Sequence, residues 1–306
     1  MDATLFTARE AQARAILNAN GKHRSVLLTG RSGIGKTALL EFIAPVLEQS
    51  GLTVRLDRVA PFGNFLRELH TALWDAKAFT GQTSDLEADR KAWSKANPNN
   101  DTKARALVAA LEKWAGEKSR AILVIDDVTA LTASITPWLV ELERVSTMIV
   151  AATPDALRRQ GTKRFWKLLE EVRLEPLSAR ESGELLAKLM LEHKIVVDEP
   201  EVYKNRVLAA SAGVPGEIVR LVKYHSADAL VRARDVLNAG QEFAERDERG
   251  IAIAPIVFAL GAFTIAWRYI ARARGDLDAY VISGIAVGIF FVARLLFGNT
   301  FKARSS

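Results

Sequence analysis

The chain has 306 residues, enough for one large α/β domain and a smaller module, and 49% of them are apolar, so a sizeable core can be buried. It contains no cysteine, which excludes disulfide bonds and thiolate metal sites, and its four histidines lack the spacing of a zinc site. The formal net charge of +6 permits contact with nucleic acid or anionic lipid. Because the lysines and arginines are scattered, the charge does not choose between these two partners.

The first predicted helix lies within residues 6–19, where apolar side chains recur with helical spacing. Thr7 is predicted to be its N-cap, because a threonine hydroxyl can accept a hydrogen bond from the first helical turn. The apolar run of residues 25–29 has the composition of a short buried strand. We expect the helix to pack beside the sheet that contains this strand.

A phosphate-binding loop follows the strand. Residues 30–37 have the sequence GRSGIGKT, which matches G-x-x-x-x-G-K-[ST], and a helix is predicted from residue 38. The glycines let backbone N–H groups turn toward phosphate oxygens, and the new helix adds the positive end of its dipole. Lys36 is expected to reach the β- and γ-phosphates, and the Thr37 hydroxyl to bind Mg²⁺. The predicted ATP-binding residues are Gly30, Arg31, Ser32, Gly33, Ile34, Gly35, Lys36, Thr37 and Ala38.

The segment after this loop is predicted to continue the α/β pattern. Residues 52–56 form a strand, and residues 61–76 form a helix with one apolar face. Residues 77–104 are rich in polar and charged side chains, which indicates a polar loop or a partly helical insertion. This insertion is either solvated or a contact for a partner or DNA. Residues 105–116 are again predicted to be helical.

A second motif ends the next predicted strand. Residues 120–127 contain an apolar run that finishes in Asp126 and Asp127. The acids would lie at the carboxyl end of a central parallel strand, where such sheets bind their ligands. Asp126 is predicted to hold Mg²⁺, directly or through water, and Asp127 to orient and polarise the attacking water.

Two further catalytic residues are predicted beyond this motif. The buried strand 147–153 ends in Thr153, whose hydroxyl can contact the γ-phosphate or the lytic water. A basic cluster follows at residues 158–164. Its Arg164 is predicted to act across a subunit boundary on the γ-phosphate of a neighbour, with a solvated basic helix end as the alternative.

The last strand is predicted at residues 171–177, and Ser178 with Glu181 forms a capping box that opens the next helix. Helical periodicity then continues over residues 178–240, with breaks near residues 198–200 and 213–216. We expect a small helical lid.

These features together resemble the AAA+ and STAND classes of P-loop ATPases over about residues 5–225. The STAND class is favoured by the Asp126-Asp127 pair. It is also favoured by the FTARE sequence at residues 6–10, which is similar to F-x-G-R-E with Ala8 in place of glycine. Gly213-Val214-Pro215 resembles the GxP motif of the lid. The resemblance implies that Pro215 contacts the bound base or ribose, and that the chain hydrolyses ATP with Mg²⁺ and forms a homo-oligomer. Helper ATPases of transposition and secretion share the same core.

Two apolar runs near the end of the chain, residues 251–270 and 280–297, have the length of membrane-spanning helices. Gly284 and Gly288 form a G-x-x-x-G motif that permits close helix packing in lipid. A transmembrane hairpin is therefore predicted, with a buried soluble hairpin as the alternative. Because ATP is cytosolic, we expect the inner (plasma) membrane with the ATPase domain facing the cytoplasm. Arginines in the connecting turn conflict with the positive-inside rule.

The predicted fold is thus α/β, a parallel-sheet P-loop ATPase of the ASCE type with a helical lid and a two-helix membrane hairpin. The predicted domains are residues 1–177, 178–249 and 250–306. The predicted function is a membrane-anchored ATPase that couples its nucleotide state to oligomerisation and membrane action, as in bacterial defence or signalling. The alternative is a membrane-tethered helper ATPase of the transposition or secretion type, with DNA or a protein as its partner.

Overall fold

A parallel β-sheet flanked by helices forms the centre of the fold. The structure, a computed structural model, describes residues 9–78 and 85–226 together with the single positions 267, 269, 270 and 273. The chain divides into two units, Met1–Ala239 and Gly240–Ser306. Almost all of the second unit lies outside the described residues, so the sheet and helices described below belong to the first unit.

The five strands of the described sheet are all parallel and follow the order β2-β3-β4-β1-β5. Strand β1 therefore lies between β4 and β5, and β3 lies on the other side of β4. This order brings the carboxyl ends of β1, β4 and β3 together at one edge. The strands are β1 Val26–Thr29, β2 Thr53–Arg58, β3 Ala121–Asp127, β4 Ser146–Ala152 and β5 Glu170–Arg173. A parallel α/β sheet is the predicted fold class, and it is confirmed.

Helices connect the strands and continue beyond the sheet as a helical region. The helices are α1 Glu10–Gly21, α2 Lys36–Ser50, α3 Phe62–Asp75, α4 Leu86–Ala96, α5 Asn100–Glu117, α6 Thr136–Val145, α7 Lys163–Trp166, α8 Ala179–Glu192, α9 Pro200–Ser211 and α10 Pro215–His225, with a 3₁₀ turn at Pro154–Arg158. Gly51 is the C-cap of α2, and Ser178 with Glu181 forms the predicted capping box of α8.

The core has two layers, one on each face of the sheet. On β3, Leu123 and Ile125 pack into the layer that contains α3, α5 and α6. Ile122 and Val124 point to the opposite layer, which contains α1 and α2. This alternation follows from the two-residue period of a strand, and burial on both faces explains why the strand is apolar throughout.

Two element boundaries differ from the prediction. Helix α1 begins at Glu10 with Arg9 at its N-cap position, and Thr7, the predicted cap, lies outside the described residues. Strand β5 ends at Arg173 rather than at residue 177, because the chain then leaves the sheet. Pro176 has no N–H group for a strand ladder, and the N–H of Leu177 donates to Gly213 O in the lid region at 2.8 Å.

The polar insertion is more helical than predicted. Helix α4 occupies residues 86–96, and α5 begins at Asn100, five residues before the predicted start. A capping box explains this earlier start, since the Asn99 side chain accepts from Thr102 N at 2.9 Å. Helix α6 was not predicted, and it fills the crossover between β3 and β4.

Within the described residues, no helix has the length and apolar character needed to cross a membrane. The apolar run 280–297 lies outside the described residues, and so does the run 251–270 except for positions 267, 269 and 270. The transmembrane hairpin therefore stays a prediction from the sequence.

Candidate functional site

The turn between β1 and α2 has a backbone that requires glycine at several positions. Gly33 and Gly35 have φ angles of 72° and 99°, in the left-handed region that side chains disfavour. A Cβ atom on Gly30 would lie 2.7 Å from the Cγ2 atom of Ile34, which is itself buried in the core. The loop therefore wraps closely around Ile34, whose side chain anchors it to the core instead of facing a ligand.

Lys36 is the first residue of α2 and is held inside this loop. Its Nζ atom donates to Gly30 O at 2.9 Å and to Arg31 O at 3.0 Å. Burial lowers the pKa of the ammonium group, while Asp126 and Asp127 oppose this shift. An ammonium held between two carbonyl groups at a helix N-terminus suits the binding of a phosphate chain.

Thr37 and Asp126 join the loop to the end of β3. The Thr37 hydroxyl donates to Asp126 Oδ2 at 2.9 Å. The other carboxylate oxygen, Oδ1, is buried and has no hydrogen-bond partner among the described residues. A buried carboxylate oxygen without a donor fits a cation, and Mg²⁺ prefers hydroxyl and carboxylate oxygens. These two residues would hold Mg²⁺, which when bound neutralises charge on phosphate oxygens.

Asp127 is the last residue of β3, and a short turn connects it to the end of β4. Its Oδ1 atom accepts from Thr129 N at 2.7 Å. The hydroxyl of Thr129 in turn accepts from Thr153 N at 3.3 Å. Thr129 thus links the carboxylate of Asp127 to the backbone of Thr153, and all three residues line the same cavity.

The helical region contacts the phosphate loop directly through the start of α10. Gly216 N donates to Gly33 O at 2.8 Å. A Cβ atom on Gly216 would lie 2.9 Å from both the Cα and the O atoms of Gly33, so only glycine permits this approach. Pro215, the first residue of α10, is buried next to this contact. The backbone of the phosphate loop and the start of α10 are therefore in direct contact.

Arg9 supports the same loop from the other side. Its buried guanidinium donates through Nη2 to Glu175 O at 2.7 Å and, with a longer bond of 3.5 Å, to Ile34 O. Burial lowers its pKa, and Glu181 and Glu175 oppose the shift. The two acceptors lie in the phosphate loop and in the segment that leads from β5 to the lid, so Arg9 is a positioning residue for both.

One cavity of about 600 Å³ collects most of the predicted site. Its predicted lining residues are Ser32, Gly33, Gly35, Lys36, Thr37, Ala38, Asp126, Asp127, Thr153 and Pro215. Thr129, Gly216 and Val219 also line it, and the sequence reasoning missed them. Thr129 follows Asp127 by two residues, a spacing at which an aspartate accepts from the backbone, so a local signal existed for it.

Four predicted site residues do not line this cavity: Gly30, Arg31, Ile34 and Arg164. Gly30 and Arg31 instead supply the carbonyl groups that hold Lys36. Arg164 lies on the short helix α7 with its side chain exposed. In the described chain it is therefore apart from the site. Arg220 on α10 pairs with Glu217 and does not line the cavity either.

A glycine-rich phosphate loop, an acidic pair on a neighbouring parallel strand and an adjoining helical region define a P-loop nucleotide-binding protein. Residues 5–150 match the family model of the AAA ATPase domain, AAA_16. The matched segment includes the phosphate loop and both acids. The match supports an AAA+ P-loop ATPase domain over these residues. Among curated proteins no match was found.

Several solved structures are similar to the chain at low sequence identity. A chain of the S. cerevisiae Hsp104:casein complex in its extended conformation is 15% identical, with a TM-score of 0.44 over 72% of this chain and 37% of that chain. Hsp104 with ATPγS and FITC casein in a closed state is 15% identical, with a TM-score of 0.46 over 91% of this chain and 49% of that one. The Thermotoga maritima RuvB Holliday junction branch migration motor is 14% identical, with a TM-score of 0.41 over 78% and 68%. This chain spans less than half of the length of either Hsp104 chain.

Proposed function

We propose that this protein binds ATP together with Mg²⁺ and hydrolyses it to ADP and phosphate. The observation that carries the proposal is the pairing of Thr37 with Asp126, in which the buried Asp126 Oδ1 has no donor among the described residues and lies near Lys36. Oxygen ligands for a divalent cation and a cation for phosphate thus share one cavity. A site for an uncharged ligand would leave these charged groups buried without partners, which is energetically unfavourable.

The residues have distinct roles in this proposal. Lys36 exchanges its two carbonyl acceptors for phosphate oxygens when the nucleotide binds. Asp127 orients a water molecule for attack on the γ-phosphorus and takes its proton as the bond to the ADP oxygen breaks. The hydrogen bond from Thr129 N occupies Oδ1 of Asp127, which leaves its Oδ2 atom available for water. Thr153 contacts the γ-phosphate or the same water.

The direct test of this proposal is the magnesium dependence of phosphate release by the full-length chain. Thr37→Ser keeps the hydroxyl group, whereas Thr37→Val keeps the shape and removes it. We expect Thr37→Ser to retain turnover and Thr37→Val to need much more Mg²⁺ or to lose turnover. Equal magnesium dependence in the two variants would contradict the proposed metal site.

We further propose that the protein is anchored in the inner membrane, with its ATPase domain facing the cytoplasm, and that nucleotide binding promotes a homo-oligomer that acts on the membrane. The membrane part rests on the apolar runs 251–270 and 280–297, and the assembly part on the exposed Arg164 as a residue that acts on a neighbour's nucleotide. The nucleotide coupling is supported by the hydrogen bond from Gly216 to the phosphate loop. This is the behaviour of a STAND-like switch, as in a bacterial defence or signalling system.

Assembly and membrane binding can be measured separately. Light scattering of the full-length chain in detergent should give a larger mass with a non-hydrolysable ATP analogue than with ADP. Arg164→Ala should reduce concentration-dependent turnover without weakening nucleotide binding, and Arg159→Ala is the control in the same cluster. Flotation with anionic liposomes should depend on residues 250–306. A monomer in every nucleotide state would refute the assembly proposal.

The alternative is a membrane-tethered ATPase that binds DNA, as in transposition or secretion helpers. The net charge of +6 favours it. Double-stranded DNA should then stimulate hydrolysis, and the stimulation should fall steeply with salt because phosphate contacts release counterions. Turnover that responds to lipid and protein concentration but not to DNA would favour the assembling membrane ATPase.

A further inference from the structure

A second polar cleft lies on the first unit, at the edge strand β2. Its volume is about 570 Å³, and none of its residues lines the nucleotide cavity. We call it the arginine cleft. Its lining residues are Arg55, Asn64, Arg67, Glu68, Thr71, Ala72, Asp75 and Arg90. They come from β2, α3 and α4, and α4 belongs to the polar insertion whose role the sequence left open.

Among the described residues, only one of the three arginines of the cleft makes an ion pair. Arg55 is exposed on β2 and makes no hydrogen bond or ion pair with a described residue. Arg67 donates to the neutral Asn64 Oδ1. Arg90 donates to the Thr71 hydroxyl at 3.0 Å and pairs with Glu87 at 2.9 Å, an exposed ion pair within α4 that solvent screens.

Arg90 also carries a donor that the described chain leaves unsatisfied. Its Nε atom is buried and has no hydrogen-bond partner among the described residues. Buried polar groups in folded proteins are normally paired, because an unpaired donor has lost its water without gaining an acceptor. An acceptor beside Arg90 is therefore expected, and an oxygen-rich anion in the cleft is a suitable one.

The cleft is held in shape by packing between α3 and α4. His70 on α3 is buried and lies 3.2 Å from Asp89 Oδ2 on α4, and its ring stacks on Trp93 with centroids 4.2 Å apart. These contacts fix α4 against α3, and so they hold Arg90 in the same cleft as Arg67. A site on two packed helices and a strand is preorganised, which reduces the cost of ordering side chains on binding.

The chemistry of the cleft selects a particular ligand class. Three guanidinium groups face two carboxylates, Glu68 and Asp75, which leaves a net charge of +1 from the ionisable lining residues. Guanidinium groups match the oxygens of a phosphate, and the carboxylates can accept from hydroxyl or amino groups beside it. We propose that the arginine cleft binds a phosphate ester that carries such donors, which is the chemistry of a nucleotide, either free or within a nucleic-acid strand.

The test compares two arginines on the same strand, three residues apart. Arg55→Gln removes a charge from the cleft, and Arg58→Gln removes a charge from an exposed residue that does not line it. Both variants of the full-length chain are titrated with AMP by calorimetry and with labelled single-stranded DNA by fluorescence anisotropy. Both variants are made in the Lys36→Ala background, which weakens nucleotide binding at the phosphate loop without changing a residue of the cleft, and AMP lacks the β-phosphate that this loop binds most directly.

The proposal expects Arg55→Gln to weaken binding by about tenfold or more, the effect of losing one charge-assisted hydrogen bond, and Arg58→Gln to have little effect. Weaker binding of AMP by Arg55→Gln would identify a free nucleotide as the ligand, and weaker binding of DNA alone would identify a nucleic-acid strand. Binding of neither probe, or equal weakening by both variants, would overturn the proposal. Arg67→Gln gives an independent second variant, and thermal unfolding checks that each variant is folded.

The inference does not depend on ATP hydrolysis. Loss of turnover in the Thr37 variants concerns the phosphate loop, whereas the difference between Arg55→Gln and Arg58→Gln concerns the cleft alone. Each proposal can therefore fail without the other.

Discussion

Two groups of cationic side chains lie beyond the carboxyl end of the sheet, and they differ in how firmly the chain holds them. Lys36 is half-buried at the start of α2, held by two carbonyl groups and close to Asp126. Arg164 and Lys163 lie on α7, beyond the end of β4, with exposed side chains. The first cation is positioned by the fold of the chain itself, whereas the second pair would need another molecule to be positioned. A site is complete within one chain only where packed elements fix the side chains.

The largest expected effect compares a carboxylate of the phosphate site, Asp127, with an exposed carboxylate after β4, Asp155. Asp127→Asn should lower the turnover number by about 100- to 10,000-fold, because it removes the group that takes the proton of the attacking water. Nucleotide binding should be retained, which a fluorescent ADP analogue can measure. Asp155→Asn, in the 3₁₀ turn after β4, is the control and should have little effect within one subunit. Normal turnover by Asp127→Asn would show that another group orients the water.

Substitution of one lysine in each region, Lys36 and Lys163, tests nucleotide binding. Lys36→Ala should weaken binding of the ADP analogue by about 100-fold, because two charge-assisted hydrogen bonds to phosphate are lost. Lys163→Ala should leave this affinity unchanged, since that exposed residue does not line the cavity. Equal losses in the two variants would mean that binding reflects general charge rather than the phosphate loop.

The contact between the phosphate loop and the lid can be tested with two glycines. Gly216→Ala should lower the free energy of unfolding by about 1–3 kcal/mol, because its methyl group meets Gly33 at 2.9 Å. It should also weaken nucleotide binding. Gly183→Ala, in α8 with nothing within 4 Å of a Cβ atom, should instead raise stability by about 0.5–1 kcal/mol. Chemical denaturation measures both, and a stable Gly216→Ala variant would place the lid farther from the loop.

A smaller effect is expected from pH, at the contact that supports the arginine cleft. Burial lowers the pKa of His70 below its ordinary value of 6.5, with Asp89 opposing and Arg90 adding to the shift. The unfolded state therefore binds the proton more readily, so the free energy of unfolding falls as pH drops below 6.5 toward the folded-state pKa. Thermal unfolding across this range should be less pH-dependent in His70→Gln than in the wild type. His193→Asn, at the C-cap of α8, is the matched control variant.

Local sequence patterns predicted much of the site because its residues lie next to one another in the chain. Residues 30–37 contain their own glycines, cation and hydroxyl group, and the acids end an apolar strand that is recognisable alone. Gly216 was missed because its role depends on a contact with Gly33, which comes from another element. Thr129 was missed although its bond to Asp127 is local, and its second bond, from Thr153 N, comes from another element. Arg9 was noticed only as part of a motif, since its two acceptors are far apart in sequence.

The sequence by itself determined the parallel α/β class, the phosphate loop and the acidic pair, because these follow from apolar periodicity and from residues a few positions apart. Only the tertiary structure decided that Asp126 meets Thr37, that the lid donates to Gly33, and that three arginines from β2, α3 and α4 line one cleft. These contacts depend on strand order and helix packing. Both are set by the burial of many apolar side chains at once, so they cannot be predicted from a short segment of the sequence.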